Sequence, residues 1–211
     1  MSTDVCHGSI AFTGCYELPL TRRLCEIAKT EGGTLIDAGA NYGYYSLLWT
    51  AAKATNRVIA FEASPRNYPA LMANLELNGV ADRVTPINQA VGDKIGTVCF
   101  KMSDSNQSGW DKITTDQSES QWKIPMTTID LNIGDTQITA IDCEGYDFNV
   151  IAGAKDLIAT RQVKHIFFEE NPGCAEKFGI ASGDVSAHLT SCGYTVTPLG
   201  GPTEFEASLK A

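Results

Sequence analysis

The fold is decided by one stretch near the start of the chain, Leu35-Ile-Asp-Ala-Gly-Ala-Asn-Tyr-Gly43. It opens with a short apolar run that ends in an acid, Asp37, and a glycine follows two residues later. After it, residues 42–54 carry apolar side chains at the spacing of a helix. The stretch therefore predicts a strand, a tight turn and a helix, which is the unit that builds open α/β sheets.

The remaining sequence repeats this alternation of β-rich runs and helical patterns. We predict further helices over 19–30, 64–78, 146–151, 155–160 and 182–191, and strands over 57–63, 83–91, 96–102, 122–127, 137–142, 163–169, 194–199 and 204–210. Alternating strands and helices favour a parallel sheet covered on both faces. The last two strands are joined by a short turn, so they must be antiparallel. The fold class is therefore α/β: a doubly wound, mostly parallel sheet with one antiparallel strand near the C-terminal edge.

Composition restricts the class of ligand. The chain has 211 residues, with 25 acidic against 16 basic residues and a formal charge of −9. Phosphate backbones are bound mainly by Lys and Arg, so we expect no nucleic-acid partner. No apolar run reaches the ~18 residues that a membrane-spanning helix needs, so we expect no membrane-spanning helix. The seven cysteines are odd in number and form no C-x-x-C pair, which favours a reducing, cytoplasmic location.

Two features at the predicted strand ends indicate a nucleoside. Gly39 allows a sharp turn beside the ligand, and Gly43 allows the helix to pack close to the strand. Glu62 ends the second strand, 25 residues after Asp37, where a carboxylate can accept both hydroxyls of a ribose. Asn41 stands where a dinucleotide fingerprint needs its second glycine. An acid at this turn suits S-adenosylmethionine, which carries a net positive charge, better than NAD.

The chain resembles the FkbM family of S-adenosylmethionine-dependent methyltransferases over residues 14–170. The resemblance is carried by Asp37-Ala-Gly-Ala-Asn-Tyr-Gly-Tyr-Tyr-Ser46, Val58-Ile-Ala-Phe-Glu62, Asn67-Tyr68, Asn74-Leu-Glu-Leu-Asn-Gly79, Ala90-Val-Gly-Asp93, Pro125-Met-Thr-Thr-Ile-Asp130 and Ile141-Asp-Cys-Glu-Gly145. Glu17 matches a weaker upstream element. The resemblance implies a class I methyltransferase, Rossmann-like, with a seven-stranded sheet whose last-but-one strand in space is reversed.

The resemblance also implies roles for individual residues. Asp37, Gly39, Asn41 and Gly43 would line the methionine and ribose of the cofactor, and Glu62 would hold the ribose hydroxyls. The adenine edge would meet Gln89 and Ala90. Ala63 belongs to the same cofactor set, and it departs from the proline that many relatives have there. Gln89 stands near the position where many class I enzymes have an acid.

Catalysis is assigned to two acids after the fourth strand of the cofactor-binding core. Asp142 and Glu144 are two residues apart, so strand geometry would place both side chains on one side. One could hold cofactor or substrate while the other acts as a base, which a hydroxyl nucleophile needs more than an amine does. The alternative is a surface turn that caps the next helix, in competition with Asp147.

The acceptor site is harder to predict. Glu169 and Glu170 end the fifth strand and either face the acceptor or begin a solvated loop. Trp110 lies in a polar insert over residues 103–121, where it could pack on an acceptor or anchor a hairpin. The insert itself is either a lid or a mobile extension. We expect no metal site, and His165 in an apolar strand is interpreted as a core residue.

We therefore predict a single methyltransferase domain over residues 1–211. It comprises an N-terminal arm and helix (1–33), a cofactor-binding core (34–170) and a C-terminal helix with a strand pair (171–211). The expected reaction is O-methylation of a hydroxyl on a small molecule or glycan. The alternatives are N-methylation, a NAD-binding oxidoreductase and a non-catalytic cofactor-binding module. The oligomeric state is not predicted.

Overall fold

A computed structural model describes residues 4–103, 107–114, 118, 122–134, 136–143, 146–170, 181 and 183–209. Its helices are α1 Val5–Thr13, α2 Leu18–Thr30, α3 Tyr44–Ala52, α4 Asn67–Leu77, α5 Ile129–Ile133, α6 Asp147–Ala152, α7 Lys155–Ala159 and α8 Asp184–Ser191. Its strands are β1 Thr34–Ala38, β2 Arg57–Phe61, β3 Val84–Ile87, β4 Ala90–Val91, β5 Gly96–Lys101, β6 Lys112–Thr114, β7 Trp122–Thr127, β8 Ile138–Cys143, β9 Val163–Glu169, β10 Thr195–Pro198 and β11 Glu204–Ser208.

The main sheet is a mixed sheet of seven strands in the order β10-β11-β9-β8-β1-β2-β3. Strands β9, β8, β1, β2 and β3 pair in parallel. The two antiparallel pairings both involve β11, which lies between β9 and β10. The α/β class and the antiparallel terminal pair are thus confirmed.

A second, smaller sheet was not predicted. It has four strands in the order β4-β7-β5-β6. The sequence pattern predicts one strand over 83–91, but the chain leaves the main sheet after Ile87, and β4 then pairs in parallel with β7. Between β3 and β4, the side chain of Asn88 donates to the backbone carbonyl of Glu62 at 2.8 Å. A two-residue strand such as β4 is too short to show a period in sequence.

The core lies on both faces of the main sheet. All five residues of β1 are buried, and its neighbours Leu35 and Ile36 belong to different apolar clusters. Leu35 packs in the cluster that includes Leu24 of α2 and Trp49 of α3. Because strand side chains alternate between faces, Asp37 shares the face of Leu35. The side chain of Asp37 therefore lies on the face of the sheet that α2 and α3 cover.

A buried ionic network fastens α2 to the sheet. Arg23 of α2 donates through two nitrogens to Glu206 of β11, at 2.8 and 2.9 Å. His165 of β9 contacts Glu206 through Nδ1 at 2.8 Å and Glu31 through Nε2 at 2.9 Å. Although burial alone would raise it, hydrogen bonds from His165 and Arg23 lower the pKa of Glu206 to about 2. His165 is 8% exposed, as predicted for a core position.

Candidate functional site

The site begins at the turn between β1 and α3. Gly39, Asn41 and Gly43 all have positive φ, at 99°, 51° and 87°. The backbone N–H groups of Gly39 and Ala40 both donate to the carbonyl of Phe61 at 2.9 Å. A Cβ at Gly43 would lie 2.7 Å from Cδ1 of Leu71 in α4. The turn is thus held against the end of β2, and only glycine at position 43 allows α4 to pack this closely.

Glu62 is fixed at the tip of β2 by two backbone donors. Its Oε2 accepts from the N–H of Asn41 and its Oε1 from the N–H of Ser64, each at 2.6 Å. The residue is 6% exposed, and this burial raises the pKa of Glu62 to about 7. Each carboxylate oxygen can accept more than one hydrogen bond. Glu62 is therefore preoriented and still able to receive the hydroxyls of a ligand.

Two further carboxylates lie side by side at the ends of β1 and β8. Asp37 and Asp142 are register partners on these parallel strands, and each is 1% exposed. The hydroxyl of Ser46 donates to Asp37 at 2.5 Å, and burial raises the pKa of Asp37 to about 6. Oδ2 of Asp142 has no hydrogen-bond partner among the described residues. Burial, and then the charges of Asp37, Glu17 and Asp147, raise the pKa of Asp142 well above its usual range.

A small cavity of about 60 Å³ opens beyond Asp142. It is lined by Glu17, Leu20, Asp142, Cys143, Phe167, Phe168, Glu169, Leu199, Glu204 and Phe205. Glu17 precedes α2, with φ of 41°, and it accepts from the hydroxyl of Tyr45 at 2.6 Å. The cavity therefore joins the strand ends of β8 and β9 to the start of α2.

The N-terminal helix and part of the polar insert meet over the turn. Asp4, the residue before α1, accepts from the backbone N–H of Ser108 at 2.6 Å. The side-chain amide of Asn41 donates to the hydroxyl of Ser108 at 3.1 Å. The side-chain amide of Asn67 donates to the carbonyl of Ser108 at 3.2 Å. Ser108 thus connects the insert to the N-terminal helix, to the turn and to α4.

A second contact anchors the same part of the insert. The carboxylate of Asp111 accepts from Arg66 at 2.5 Å and from the hydroxyl of Ser64 at 2.8 Å. It also accepts from the backbone N–H of Ser103 at 2.8 Å. The Asp111 side chain is only 2% exposed. The insert is therefore fastened beside Glu62, close to the ribose position predicted from sequence.

The family comparison decides the class of protein. A family model described as the methyltransferase FkbM domain matches residues 37–196. The chain belongs to the FkbM methyltransferase family. It is an enzyme that uses S-adenosylmethionine as its methyl donor, and the alternatives of a NAD-binding oxidoreductase and of a non-catalytic module are set aside. No match was found among curated proteins.

Solved structures show the same fold at low identity. A methyltransferase from Geobacter sulfurreducens is 16% identical with a TM-score of 0.53, over 90% of this chain and 78% of that one. A putative rRNA-methylase from Clostridium thermocellum is 11% identical with a TM-score of 0.56, over 90% and 96%. TrmK from M. capricolum, in complex with S-adenosylhomocysteine, is 11% identical with a TM-score of 0.50, over 88% and 67%.

The residues of this FkbM methyltransferase fit its cofactor. The predicted cofactor residues Asp37, Gly39, Asn41, Gly43 and Glu62 all lie at one edge of the main sheet, where Asp142 joins them. This edge offers acidic side chains to a cofactor with a net positive charge. It also leaves Oδ2 of Asp142 and Oδ1 of Asn41 buried without a partner among the described residues. Buried polar atoms of this kind favour a bound polar group.

The remaining cofactor residues lie on the side of the second sheet. Gln89 is half-buried between β3 and β4. Ala90 is buried in a small apolar cluster with Phe100, Ile124 and Met126, and Ala63 packs against that cluster. Ala63 and Ala90 therefore lie on one apolar wall next to Glu62.

The predicted catalytic and acceptor residues lie in different places. Glu144 lies outside the described residues, as does the side chain of Trp110. Glu169 is exposed and lines the cavity. Glu170 instead accepts from the backbone N–H of Ser186 at 2.8 Å, in the first turn of α8. Glu170 therefore caps the first turn of α8, and its role at the acceptor stays a prediction.

Two acids that line the cavity, Glu17 and Glu204, are not among the acceptor residues predicted from the sequence. Glu204 was predicted only as part of a terminal strand, and Glu17 only as a weak family match. They are far apart in the chain, and only the insertion of β11 next to β9 brings Glu204 to the cavity. No local signal could have shown this. Among the described residues, no three His, Cys, Asp or Glu side chains are arranged to ligate a metal ion, and none of the helices could cross a membrane.

Proposed function

We propose that the enzyme transfers a methyl group from S-adenosylmethionine to a hydroxyl of a small-molecule or glycan acceptor. The observation that carries the proposal is the position of Asp142. Its buried carboxylate lies next to Asp37 on one side and lines the cavity on the other. A group there can contact both cofactor and acceptor. The reaction needs chiefly that nucleophile, methyl and sulfur be aligned, which is a proximity effect.

Each residue at the sheet edge has a proposed task. The cofactor supplies a methyl group activated by its positively charged sulfur. Glu62 accepts the ribose hydroxyls, while Asp37, Gly39, Asn41 and Gly43 shape the turn around the ribose and methionine. Ala63, Gln89 and Ala90 form the adenine side. Asp142 faces the reacting centre, and Glu144 is proposed as the base that takes the acceptor proton.

The acceptor side is proposed to combine Glu169 with the polar insert, including Trp110. The anchoring of Ser108 and Asp111 beside Glu62 supports a role of the insert in covering the site. N-methylation is kept as the alternative, because the carboxylates lining the cavity suit a nitrogen acceptor as well. The protein is proposed to act as one domain over residues 1–211 in the cytoplasm, where thiols such as those of Cys6 and Cys25 stay reduced.

Calorimetry tests the cofactor assignment. The purified protein should bind S-adenosylmethionine and S-adenosylhomocysteine in the micromolar range and should not bind NAD. Binding of NAD alone would refute the proposed function.

A single variant tests the proposed base. Glu144→Gln should lower turnover, measured as S-adenosylhomocysteine formed, and leave cofactor affinity nearly unchanged. Glu76→Gln, a change of the same charge at an exposed position of α4, is the control and should keep full turnover. Full activity of Glu144→Gln would assign the base elsewhere.

A further inference from the structure

The cavity beyond Asp142 is acidic on several sides. Among the described residues that line it, Glu17, Asp142, Glu169 and Glu204 carry carboxylates and none is Lys, Arg or His. Strand alternation places Glu169 on the same sheet face as Phe167, which packs with α2 and α3. Asp142 shares that face, because it lies two residues after Ala140 of the same cluster. The acids therefore converge on one side of the sheet.

Two of these acids are directly opposed. Glu169 and Glu204 are register partners on the antiparallel strands β9 and β11. Like charges placed opposite each other across two strands destabilise a sheet. No ion pair to either carboxylate occurs within the described part of the chain. Burial, and then the charges of Glu17 and Glu169, raise the pKa of Glu204. Within the described part of the chain, these two acids are thus held together with no basic side chain paired to either of them.

Asp142 provides an independent indication of a ligand in the same cavity. Its side chain is almost completely buried at 1% exposure. Oδ2 has no hydrogen-bond partner among the described residues, and the residue lines the cavity. A buried carboxylate oxygen without a donor is costly. A ligand that brings hydrogen-bond donors and positive charge would satisfy it together with the Glu169–Glu204 pair.

We infer that the acceptor carries a cationic nitrogen, an amine or a guanidine, which binds between the carboxylates of Glu169 and Glu204. The inference rests on the proposed function, since it names the class of acceptor for that site. The cavity of about 60 Å³ is large enough to admit such a cationic group. Leu20 and Leu199 supply apolar contacts for the carbon atoms next to the nitrogen. A phosphorylated acceptor would be repelled.

The test uses three probes of one size, each titrated into the protein saturated with S-adenosylhomocysteine. The probes are n-butylamine, 1-butanol and butyrate. Their binding is measured by calorimetry and by the shift of the thermal unfolding midpoint. We expect n-butylamine to bind at least about tenfold more tightly than 1-butanol, and butyrate not to bind. Glu169→Gln combined with Glu204→Gln should remove the preference for the amine. Glu76→Gln, an exposed change of the same charge on α4, should preserve it.

The outcomes separate this inference from the proposed function. Failure to bind S-adenosylhomocysteine in the first step would refute the proposed function itself. Normal cofactor binding with 1-butanol equal to or tighter than n-butylamine would overturn only the inference. So would the absence of amine binding at about 10 mM. A midpoint raised by Mg²⁺ and not by n-butylamine would also overturn it, in favour of a metal ion. Unchanged binding of n-butylamine in the Glu169→Gln and Glu204→Gln double variant would also overturn the inference.

Discussion

Asp37 and Asp142 are register partners on the neighbouring parallel strands β1 and β8, and both side chains are 1% exposed. Water does not screen this pair, so each charge is felt by the other. Asp37 accepts from the hydroxyl of Ser46, whereas Oδ2 of Asp142 has no hydrogen-bond partner among the described residues. Burial and proximity raise the pKa of both carboxyl groups, and a positively charged cofactor bound beside them would favour their ionised forms.

The first prediction concerns cofactor affinity. Glu62→Gln should weaken binding of S-adenosylhomocysteine by at least about tenfold, because hydrogen bonds to a charged group contribute about 1.5 to 3 kcal/mol each. The measurement is calorimetric titration at neutral pH. Glu76→Gln on the exposed face of α4 is the control and should bind normally. Equal affinity in the two variants would place the ribose elsewhere.

The second prediction follows from the raised pKa of Glu62, about 7. The ionised carboxylate is the better acceptor, so affinity should rise about tenfold between about pH 6 and pH 8. Glu62→Gln should lose this rise. Stability of the unliganded protein should change in the opposite sense. A raised pKa means that the folded state holds its proton more tightly, so stability falls as pH rises from about 4 towards 7.

The third prediction tests the close packing at Gly43. Gly43→Ala should lower the free energy of unfolding by about 2 to 4 kcal/mol, through the positive φ and the contact with Leu71. Gly79→Ala is the matched control, because Gly79 also has positive φ but nothing lies within 4 Å of its Cβ position. Urea unfolding of both variants measures the difference. Equal losses would show that the contact with Leu71 contributes nothing.

The fourth prediction concerns acid stability. The pKa of Glu206 is lowered to about 2, so its stabilisation is present above the unfolded value near pH 4.5 and is lost as pH falls towards 2. Glu206→Gln should cost about 3 kcal/mol at neutral pH and flatten the acid limb of the stability curve. Glu26 contacts the same arginine from the surface, with its side chain 61% exposed. Glu26→Gln is therefore the control and should lower the free energy of unfolding by less than about 1 kcal/mol. An unchanged acid limb in Glu206→Gln would contradict the assignment.

The fifth prediction concerns the anchoring of the polar insert. Asp111→Asn removes the charge paired with Arg66 and weakens the contact with Ser64. Trypsin cleavage after Lys112, which is exposed and adjacent, should become about tenfold faster because the segment opens more often. Asp82→Asn, at an exposed position, should cleave at the normal rate. Saturation with S-adenosylhomocysteine should slow cleavage in the unaltered enzyme if the insert covers the cofactor.

Sequence reasoning succeeded where chemistry and local pattern coincide. The strand predicted just before Gly39 is β1, Thr34–Ala38, and the turn residues after it lie where the glycine pattern indicates. It failed where short segments depend on distant partners. Helix α1 was missed; the side chain of Asp4 caps its first turn by accepting from His7 at 3.1 Å, but α1 buries none of its own residues, so no apolar stripe marks it.

The site shows the same division. Asp37, Glu62 and Asp142 could be predicted because strand ends of a parallel sheet share one edge. The pairing of Glu169 with Glu204 could not, because it depends on register between β9 and β11. The role of Ser108 also could not, since its partners Asp4, Asn41 and Asn67 come from three separate segments. Long-range pairing of this kind has no counterpart in local periodicity.

The position of β11 has a consequence for synthesis on the ribosome. β11 is the last strand along the chain, yet it lies between β9 and β10 in the sheet. Until synthesis has passed Ser208, β9 has a free edge that could pair with another chain. During that interval Arg23 also lacks its hydrogen bond to Glu206. Nascent chains stalled before residue 204 should therefore be prone to aggregate and to depend on chaperones, although most of the cofactor edge has already been made.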